Sequence, residues 1–183
     1  MPSREAYELR PMTSEDLTMV REWRNSDNVR PYMYTTHEIT PAEHEAWWAR
    51  ASVDPRSRHY VFCVNDVPVG VVNIVEIDEY NGTASWGYYI GAENAPPGTG
   101  SAMEYIALDT VFGELGIRKL VCEVFAFNKR PLKMHARFGF VQEGVRRAHK
   151  KHEDAYEDVI EIGVFAEEWA QVRDGLTPVV FRG

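Results

Sequence analysis

The chain has 183 residues and a mass of 21.0 kDa, the size of one domain with a substantial buried core. Its 20 basic and 28 acidic side chains give a formal net charge of -8, which excludes a general attraction to nucleic acids or anionic membranes. No histidine and cysteine set has metal-site spacing, so we expect no metal. Cys63 and Cys122 lie in apolar runs typical of buried thiols, and with no leader-like or long apolar segment we expect a cytoplasmic protein outside membranes.

The N-terminal third predicts one strand followed by two helices. Residues 7–12 alternate as a short strand, and residues 13–25 begin with polar and acidic residues typical of a helix start. Residues 40–51 form the second helix, because Thr40 and Glu43 have the spacing of a capping box.

The middle of the chain predicts three antiparallel strands. Residues 60–64 and 68–77 flank the turn sequence Asn65-Asp66, and residues 83–90 follow Asn81-Gly82. We therefore expect a meander of neighbouring strands.

A glycine turn, Gly98-Thr99-Gly100-Ser101, then leads into an amphipathic helix that ends before Gly116. Unpaired amides and the positive end of the helix dipole meet at such a turn, and glycine lets a phosphate approach the main chain. The spacing fits neither the dinucleotide-binding nor the P-loop pattern, and a tight connection without a ligand is the other interpretation of the turn. The turn predicts a site for a phosphate-bearing cofactor.

The remaining chain completes an α/β sandwich order. We predict strands at 119–125, 140–146 and 155–165, helices at 131–138 and 167–173, a charged hairpin loop at 149–154, and an apolar stretch at 176–181 that forms an edge strand or a homodimer contact.

Two of these motifs resemble those of the GCN5-related N-acetyltransferases, the GNAT family. They are the glycine turn through Ala102 and an Asn128-led helix that ends in Phe138-Gly139-Phe140. The resemblance covers residues 7–169. It implies an α/β fold with a mixed, mostly antiparallel sheet of about seven strands, splayed between strands 4 and 5, and helices on both faces. The whole of residues 1–183 is then one domain, with a core of about 7–170 and a tail of 174–183.

The resemblance also implies acetyl-CoA as the co-substrate. Its pyrophosphate would lie on Gly98, Thr99, Gly100, Ser101 and Ala102, and its pantetheine along the strand of Tyr88, Tyr89 and Ile90, whose backbone would polarise the thioester carbonyl. Asn128 would bind the pantetheine, cap its helix, or do both. Ala95-Pro96-Pro97 departs from the family, which usually supplies a basic residue there, so some phosphate contacts come from elsewhere.

The N-terminal third resembles more narrowly the PseH enzymes of pseudaminic acid biosynthesis, through residues 22–30, 32–35 and 43–48. Those enzymes acetylate the 4-amino group of UDP-4-amino-4,6-dideoxy-N-acetyl-β-L-altrosamine. The ribosomal-protein N-acetyltransferases share the Trp23-Arg24-Asn25 opening and compete as an interpretation.

A nucleotide-sugar acceptor would use flat apolar surfaces and cationic groups. The candidates for substrate contact are Arg30, Met33, Tyr34, His44, Trp47, Trp48 and Trp86. Each has a plainer alternative: the aromatic rings are core, and Arg30 is solvated rather than paired with a diphosphate.

Two titratable residues are candidates for catalysis. Glu123 lies on an otherwise apolar strand and is the candidate base, acting through water, with a structural ion pair as the alternative. His135 occupies the position where many family members have the tyrosine that protonates the departing thiolate. It either takes over that role or only packs along its helix.

No cysteine lies where an acyl-enzyme would need it, so transfer is predicted to occur in one step within a ternary complex. Two other functions stay open. One is acetylation of ribosomal protein or peptide N-termini. The other is a catalytically silent acetyl-CoA-binding regulator, which the Ala95-Pro96-Pro97 departure and the missing tyrosine allow.

Overall fold

The computed structural model describes residues 2–181. Its strands and helices follow the predicted order closely. In chain order they are β1 (Tyr7–Pro11), α1 (Leu17–Asn25), α2 (Pro41–Ala51), β2 (Arg58–Val64), β3 (Val67–Asp78), β4 (Thr83–Ile90), α3 (Thr99–Asp109), β5 (Lys119–Phe125), α4 (Lys129–Arg137), β6 (Val141–His152), β7 (Ala155–Phe165) and α5 (Ala166–Val180).

The seven strands form one sheet in the order β1-β2-β3-β4-β5-β7-β6. Every neighbouring pair is antiparallel except β4 and β5, which are parallel. Strands β1 to β4 make the predicted meander. The fold class predicted from the sequence, a mixed and mostly antiparallel sheet with helices on both faces, is confirmed.

Strands β4 and β5 separate after a short paired segment. Residues Thr83 to Ser85 pair with Lys119 to Val121, and the pairing ends there. Beyond that point residues 86–90 remain paired with β3, and residues 122–125 remain paired with β7. The facing edges of β4 and β5 therefore make no ladder with each other, so backbone groups are left for another partner.

The two faces of the sheet bury different helices. A large core packs α3, α4 and α5 against one face, and a smaller core with Met12, Val20, Val61, Cys63 and Val71 packs α1 and α2 against the other. Alternation along β5 directs Leu120, Cys122 and Val124 into the large core, so Val121, Glu123 and Phe125 point to the α1–α2 face. Successive residues of β5 therefore face different layers of helices.

The C-terminal stretch does not form the predicted edge strand. Helix α5 continues to Val180, well past the predicted end at Arg173, even though Pro178 lies inside it. Phe181 packs against Tyr7 and Tyr105, with ring centroids 5.7 and 4.9 Å apart, and Val180 is buried. Burial of these apolar side chains in the large core explains the helix and makes residues 174–181 part of the domain. The prediction for residues 182 and 183 lies outside the described residues.

The hairpin of β6 and β7 is longer than predicted. Strand β6 extends to His152, and only Glu153 and Asp154 form its turn, so the predicted loop at 149–154 is wrong. The pairing of Lys150 with Glu157 and of Lys151 with Tyr156 keeps this charged segment in the ladder. Lys150 is thereby placed over the α1–α2 connection.

Candidate active site

The start of α3 has the geometry of an anion site. Gly98 has φ +91°, a left-handed conformation that favours glycine, and no side chain caps the helix. Within residues 2–181, the amides of Gly100 and Ser101 have no hydrogen-bond acceptor, whereas Thr99 Oγ1 donates to the Pro96 carbonyl at 2.7 Å. Ala102 is buried and anchors this first turn in the core. These residues fit the pyrophosphate of acetyl-CoA.

Helix α4 packs beside this turn and carries positive charge. The Ser101 hydroxyl lies 3.7 Å from the Met134 sulfur, so the start of α3 contacts the second half of α4. The basic side chains of α4 are exposed; they are Lys129, Arg130, Lys133 and Arg137. Charge that Ala95-Pro96-Pro97 does not provide is therefore present on the neighbouring helix.

The predicted pantetheine residues lie along the opening between β4 and β5. Tyr88, Tyr89 and Ile90 belong to the part of β4 whose edge toward β5 is unpaired. Asn128 is the N-cap of α4 and makes no side-chain capping bond, so its amide is free for another partner within the described residues. Burial raises the pKa of Tyr89, which keeps its phenol protonated.

A buried carboxylate that the sequence analysis did not select joins β4, α3 and α4. Glu104, on α3, is 0% exposed. Its Oε2 accepts a hydrogen bond from Tyr88 Oη at 2.9 Å, and its Oε1 lies 2.8 Å from His135 Nδ1. A buried carboxylate without partners would be costly, and these two contacts satisfy it.

His135 is 3% exposed and lies just beyond the point where β4 and β5 part. Its ring centroid is 5.8 Å from those of Trp86 and Tyr88 and 4.9 Å from that of Phe140. Burial alone would lower the pKa of His135, but the negative charge of Glu104, which accepts a hydrogen bond from Nδ1, outweighs it and raises the pKa. The imidazolium form is thereby stabilised.

The predicted substrate contact of Trp86 is not supported by its position. Trp86 is 4% exposed, and its ring stacks on Phe140 with centroids 5.9 Å apart. It faces the large core because it alternates with Gly87 along β4. Trp86 therefore packs against His135 within the large core and does not line an open acceptor surface.

Glu123 lies on the α1–α2 face and is held by three elements. Its Oε2 accepts a hydrogen bond from Tyr34 Oη at 2.7 Å, and its Oε1 lies 3.0 Å from Arg146 Nη1. Arg146 also pairs with Glu161, which opposes Glu123 in the β5–β7 ladder, so one guanidinium covers two carboxylates. Burial, and to a smaller extent the hydrogen bond to Glu123, raises the pKa of Tyr34. Its phenol therefore stays protonated and donates to Glu123.

The segment between α1 and α2 lies over this carboxylate. Lys150 Nζ lies 4.4 Å from the centroid of the Tyr34 ring, and Tyr34 meets Phe125 edge to face at 5.2 Å. The Pro31 carbonyl accepts a hydrogen bond from His152. Met33 is half-buried in this segment, and Arg30 lies 3.5 Å from Asp27, so the structure shows Arg30 paired with a neighbouring residue.

One row of residues crosses the sheet beneath that segment. His59 on β2 pairs with Asn73 on β3, and Asn73 pairs with Gly87 on β4. Because Ser85 pairs with Val121, Gly87 is level with Glu123 across the opening. A Cβ at Gly87 would meet nothing within 4 Å, so the floor of this row is open above Gly87.

The other predicted acceptor residues lie at the far end of the row. His44 is buried, and its ring stacks on that of Trp47 with centroids 5.1 Å apart. The ring centroids of Trp47 and Trp48 lie 5.2 and 6.1 Å from that of His59. Burial, with Arg21 and Arg24 nearby, lowers the pKa of His44. Both tryptophans are half-buried against the smaller core, and Trp47 also lines an open groove of about 430 Å³ with His59 and Val75. They do not belong to the cluster around Glu123.

Some of these features were accessible from the sequence and some were not. Glu104 is a single charged residue in an apolar helix, between Met103 and Tyr105. The same pattern, a lone carboxylate in an apolar segment, identified Glu123 as a candidate and indicates a functional or paired residue here too. The pairing of Arg146 with Glu123 and Glu161 depends on the register of β5, β7 and β6, and no local pattern indicates it.

Within residues 2–181, no three histidine, cysteine, aspartate or glutamate side chains are grouped as metal ligands would be. Among the same residues, none of the helices combines the length and apolar character needed to cross a membrane.

Comparison with known proteins gives relatives over most of the chain. The chain is 27% identical over 164 residues to the SPbeta prophage-derived uncharacterized N-acetyltransferase YokL of Bacillus subtilis (strain 168), covering 88% of this chain and 90% of YokL. It is 26% identical over 144 residues to spermidine N(1)-acetyltransferase of Escherichia coli (strain K12), covering 79% of this chain and 77% of that protein.

A similar structure supports the fold. It is the crystal structure of spermidine N-acetyltransferase from Vibrio cholerae in complex with CoA and spermine, with a TM-score of 0.84 and 22% identity over 91% of this chain and 99% of that one. Residues 7–141 match the acetyltransferase (GNAT) domain family. With the splayed strands and the anion site of α3, this match shows that the chain belongs to the GNAT family and is an acetyl-CoA-dependent N-acetyltransferase.

Proposed function

We propose that this enzyme acetylates the 4-amino group of a UDP-linked 4-amino-4,6-dideoxy sugar by direct transfer within a ternary complex. The observation that carries the proposal is Arg146, which pairs with both Glu123 and Glu161, with Lys150 close by on the Tyr34 ring. The acceptor side therefore presents cations in front of its carboxylates, which favours an acceptor that bears an anionic group.

The dimensions of the acceptor row support a nucleotide sugar. Three strand spacings separate Glu123 from His59, the last being the β4–β5 opening, and at about 4.8 Å each they give a minimum of roughly 15 Å. If the amino sugar binds beside Glu123 and Gly87, the attached nucleotide extends along the row toward the groove beside Trp47. The Trp47 ring offers a surface on which the base can stack.

The residues divide the work of acetyl transfer between the two faces. Acetyl-CoA supplies an activated acetyl group as a thioester. The Gly100 and Ser101 amides bind its pyrophosphate, and a backbone N–H of residues 88–90 polarises the carbonyl. Glu123 accepts the surplus proton of the acceptor amine through water, since each carboxylate oxygen keeps a second lone pair beside its bond to Tyr34 or Arg146.

Polyamine acetylation is the second candidate, favoured by the Escherichia coli relative, which is named a spermidine N(1)-acetyltransferase. A polyamine is a polycation and would bind best to uncovered carboxylates. Here the carboxylates of Glu123 and Glu161 are already covered by Arg146. This pairing argues for the nucleotide sugar.

An acceptor panel tests the proposal directly. Release of the CoA thiol is followed with the UDP-4-amino-4,6-dideoxy sugar, with spermidine and with an N-terminal peptide, and the product is weighed by mass spectrometry. We expect one added acetyl group and the highest kcat/KM for the sugar. A higher kcat/KM for spermidine or the peptide would overturn the proposed acceptor.

A charge substitution separates the two candidates further. Arg146→Gln uncovers Glu123 and Glu161, so we expect a higher KM for the nucleotide sugar and a lower KM for spermidine. Arg147→Gln is the matched control, because it removes the same charge from the next, exposed residue. Equal effects of the two variants would contradict a role for Arg146 in acceptor choice.

A further inference from the structure

The least expected group in the donor half of the site is the charged cluster of Glu104, His135 and Tyr88. The side chains of Glu104 and His135 are 0% and 4% exposed, and their ion pair spans 2.8 Å. Buried ion pairs contribute little net stability, so the packing of α3 against α4 does not explain why the chain places one here. Apolar residues of similar volume would serve that packing equally well.

The cluster lies where the reacting thioester has to be. Ser85 and Val121 are the last paired residues of β4 and β5, and Trp86 and Cys122 follow them at the start of the opening. His135 contacts the side chains of both Trp86 and Cys122. Its Nδ1 is bound to Glu104, so Nε2 is the ring nitrogen without that bond, and Cys122 beside the ring lies at the start of the opening.

We propose that Glu104 is a positioning residue for acetyl transfer, which orients His135 and holds it as the imidazolium that protonates the leaving sulfur. As the C–S bond of the thioester breaks and the acetyl carbon bonds to the acceptor nitrogen, His135 gives its Nε2 proton to the sulfur that takes the bonding electron pair. Neutral His135 keeps its Nδ1–H donated to Glu104 and regains a proton from solvent, while the surplus proton of the amine goes to Glu123.

Tyr88 limits the movement of Glu104. Its hydroxyl donates to Glu104 Oε2, which leaves Oε1 directed at His135. The titratable groups that face His135 are Glu104 from α3, Tyr88 from β4 and Cys122 from β5. Of these, Glu104 is the one carboxyl group, and it contacts His135 directly. The inference depends on acetyl transfer but not on the identity of the acceptor.

The first measurement is nitrogen NMR of His135 in the protein without substrates. In the wild type we expect both ring nitrogens to carry protons at pH 7.5, and in Glu104→Gln one of them to be unprotonated. A neutral His135 in the wild type at pH 7.5 would overturn the proposal, whether or not the variant folds and whatever acceptor the enzyme uses.

The second measurement is the pH dependence of kcat with the best acceptor. Glu104→Gln keeps the shape of the side chain, so we expect kcat at pH 7.5 to fall by about tenfold or more and the decline toward alkaline pH to begin at a lower pH. Tyr105→Phe is the matched control, since it removes another buried bond of α3, to Thr177 at 2.7 Å. We expect it to lower the Tm but to leave the His135 resonances and the pH profile unchanged. An unaltered kcat and pH profile in folded Glu104→Gln would refute the assignment.

Discussion

Tyr34 Oη lies 2.7 Å from Glu123 Oε2, and this contact joins the segment between α1 and α2 to β5 across 89 positions of sequence. It brings an aromatic residue of the predicted acceptor set to the predicted base. Lys150 and Arg146 also converge there, and we propose that the acceptor amine binds beside this contact.

Loss of this hydrogen bond is expected to weaken acceptor binding. Tyr34→Phe leaves one oxygen of Glu123 without its donor, and hydrogen bonds to charged groups contribute about 1.5–3 kcal/mol. We expect the acceptor KM to rise about tenfold, with little change in the KM for acetyl-CoA, in steady-state assays that vary each substrate. Tyr32→Phe is the control, because exposed Tyr32 makes only an aromatic contact, to Phe127. A Tyr34→Phe effect no larger than the control's would show that the bond is incidental.

Glu123→Gln is expected to separate binding from chemistry. The substitution preserves the shape of the side chain but removes the charge that accepts the proton of the amine. We expect kcat to fall about 100-fold, a typical contribution of general base catalysis, while acetyl-CoA affinity by calorimetry stays the same. Full activity of the variant would leave Glu123 as a structural ion-pair partner of Arg146.

The glycine turn offers a pair of matched substitutions. Gly98 and Gly116 both have left-handed conformations, with φ +91° and +64°, so alanine at either costs about 1–2 kcal/mol of stability. Only Gly98 adjoins the free amides of α3. We therefore expect both variants to unfold at lower temperature but Gly98→Ala alone to lose acetyl-CoA affinity, by about tenfold or more in calorimetry. Similar affinities in the two variants would argue against phosphate binding at this turn.

Gly87 tests the location of the acceptor floor. Since nothing lies within 4 Å of its Cβ position, alanine can be introduced without a clash in the free protein, and valine and leucine extend progressively farther over the row. We expect Tm and acetyl-CoA affinity to change little, and acceptor kcat/KM to fall progressively with side-chain size. A series in which leucine is as active as glycine would place the acceptor elsewhere.

The raised pKa of His135 has a consequence for stability. A base whose pKa is higher in the folded than in the unfolded state stabilises the fold fully below its unfolded pKa of about 6.5 and loses that contribution as the pH rises through the folded pKa. The difference in unfolding free energy between wild type and His135→Gln should thus be largest near pH 6 and shrink toward alkaline pH. Denaturant titrations across that range measure it, and a difference that grows with pH would contradict the ion pair with Glu104.

Local signals accounted for most of the fold. Capping sequences located α2, and the turn at Asn65-Asp66 located the hairpin of β2 and β3, because both depend on residues close in sequence. The end of α5 could not be foreseen, since Pro178 breaks the helical pattern and the contacts that stabilise it, such as those of Phe181 with Tyr7 and Tyr105, are long-range.

The same distinction between local and long-range determinants applies to the site. The glycine turn and Glu123 were identified because a backbone motif and an isolated charge are visible locally. The ion pairs of Arg146 and the position of Trp86 were not, since both follow from strand register and from the direction of alternating side chains. The sequence shows Glu104 as a lone carboxylate in an apolar helix, but its pairing with His135 of a later helix is visible only in the structure.

The alternation of side chains along β5 also bears on how such an enzyme can diverge. Cys122 faces the large core on one side of the sheet, while its neighbour Glu123 faces Tyr34 on the other. Tyr34, Arg146 and Lys150 surround Glu123 on one face, and none of them contacts the buried pair of Glu104 and His135 on the other. Under the proposed roles, substitutions at these three positions can change the preferred amine while the buried pair is inherited unchanged.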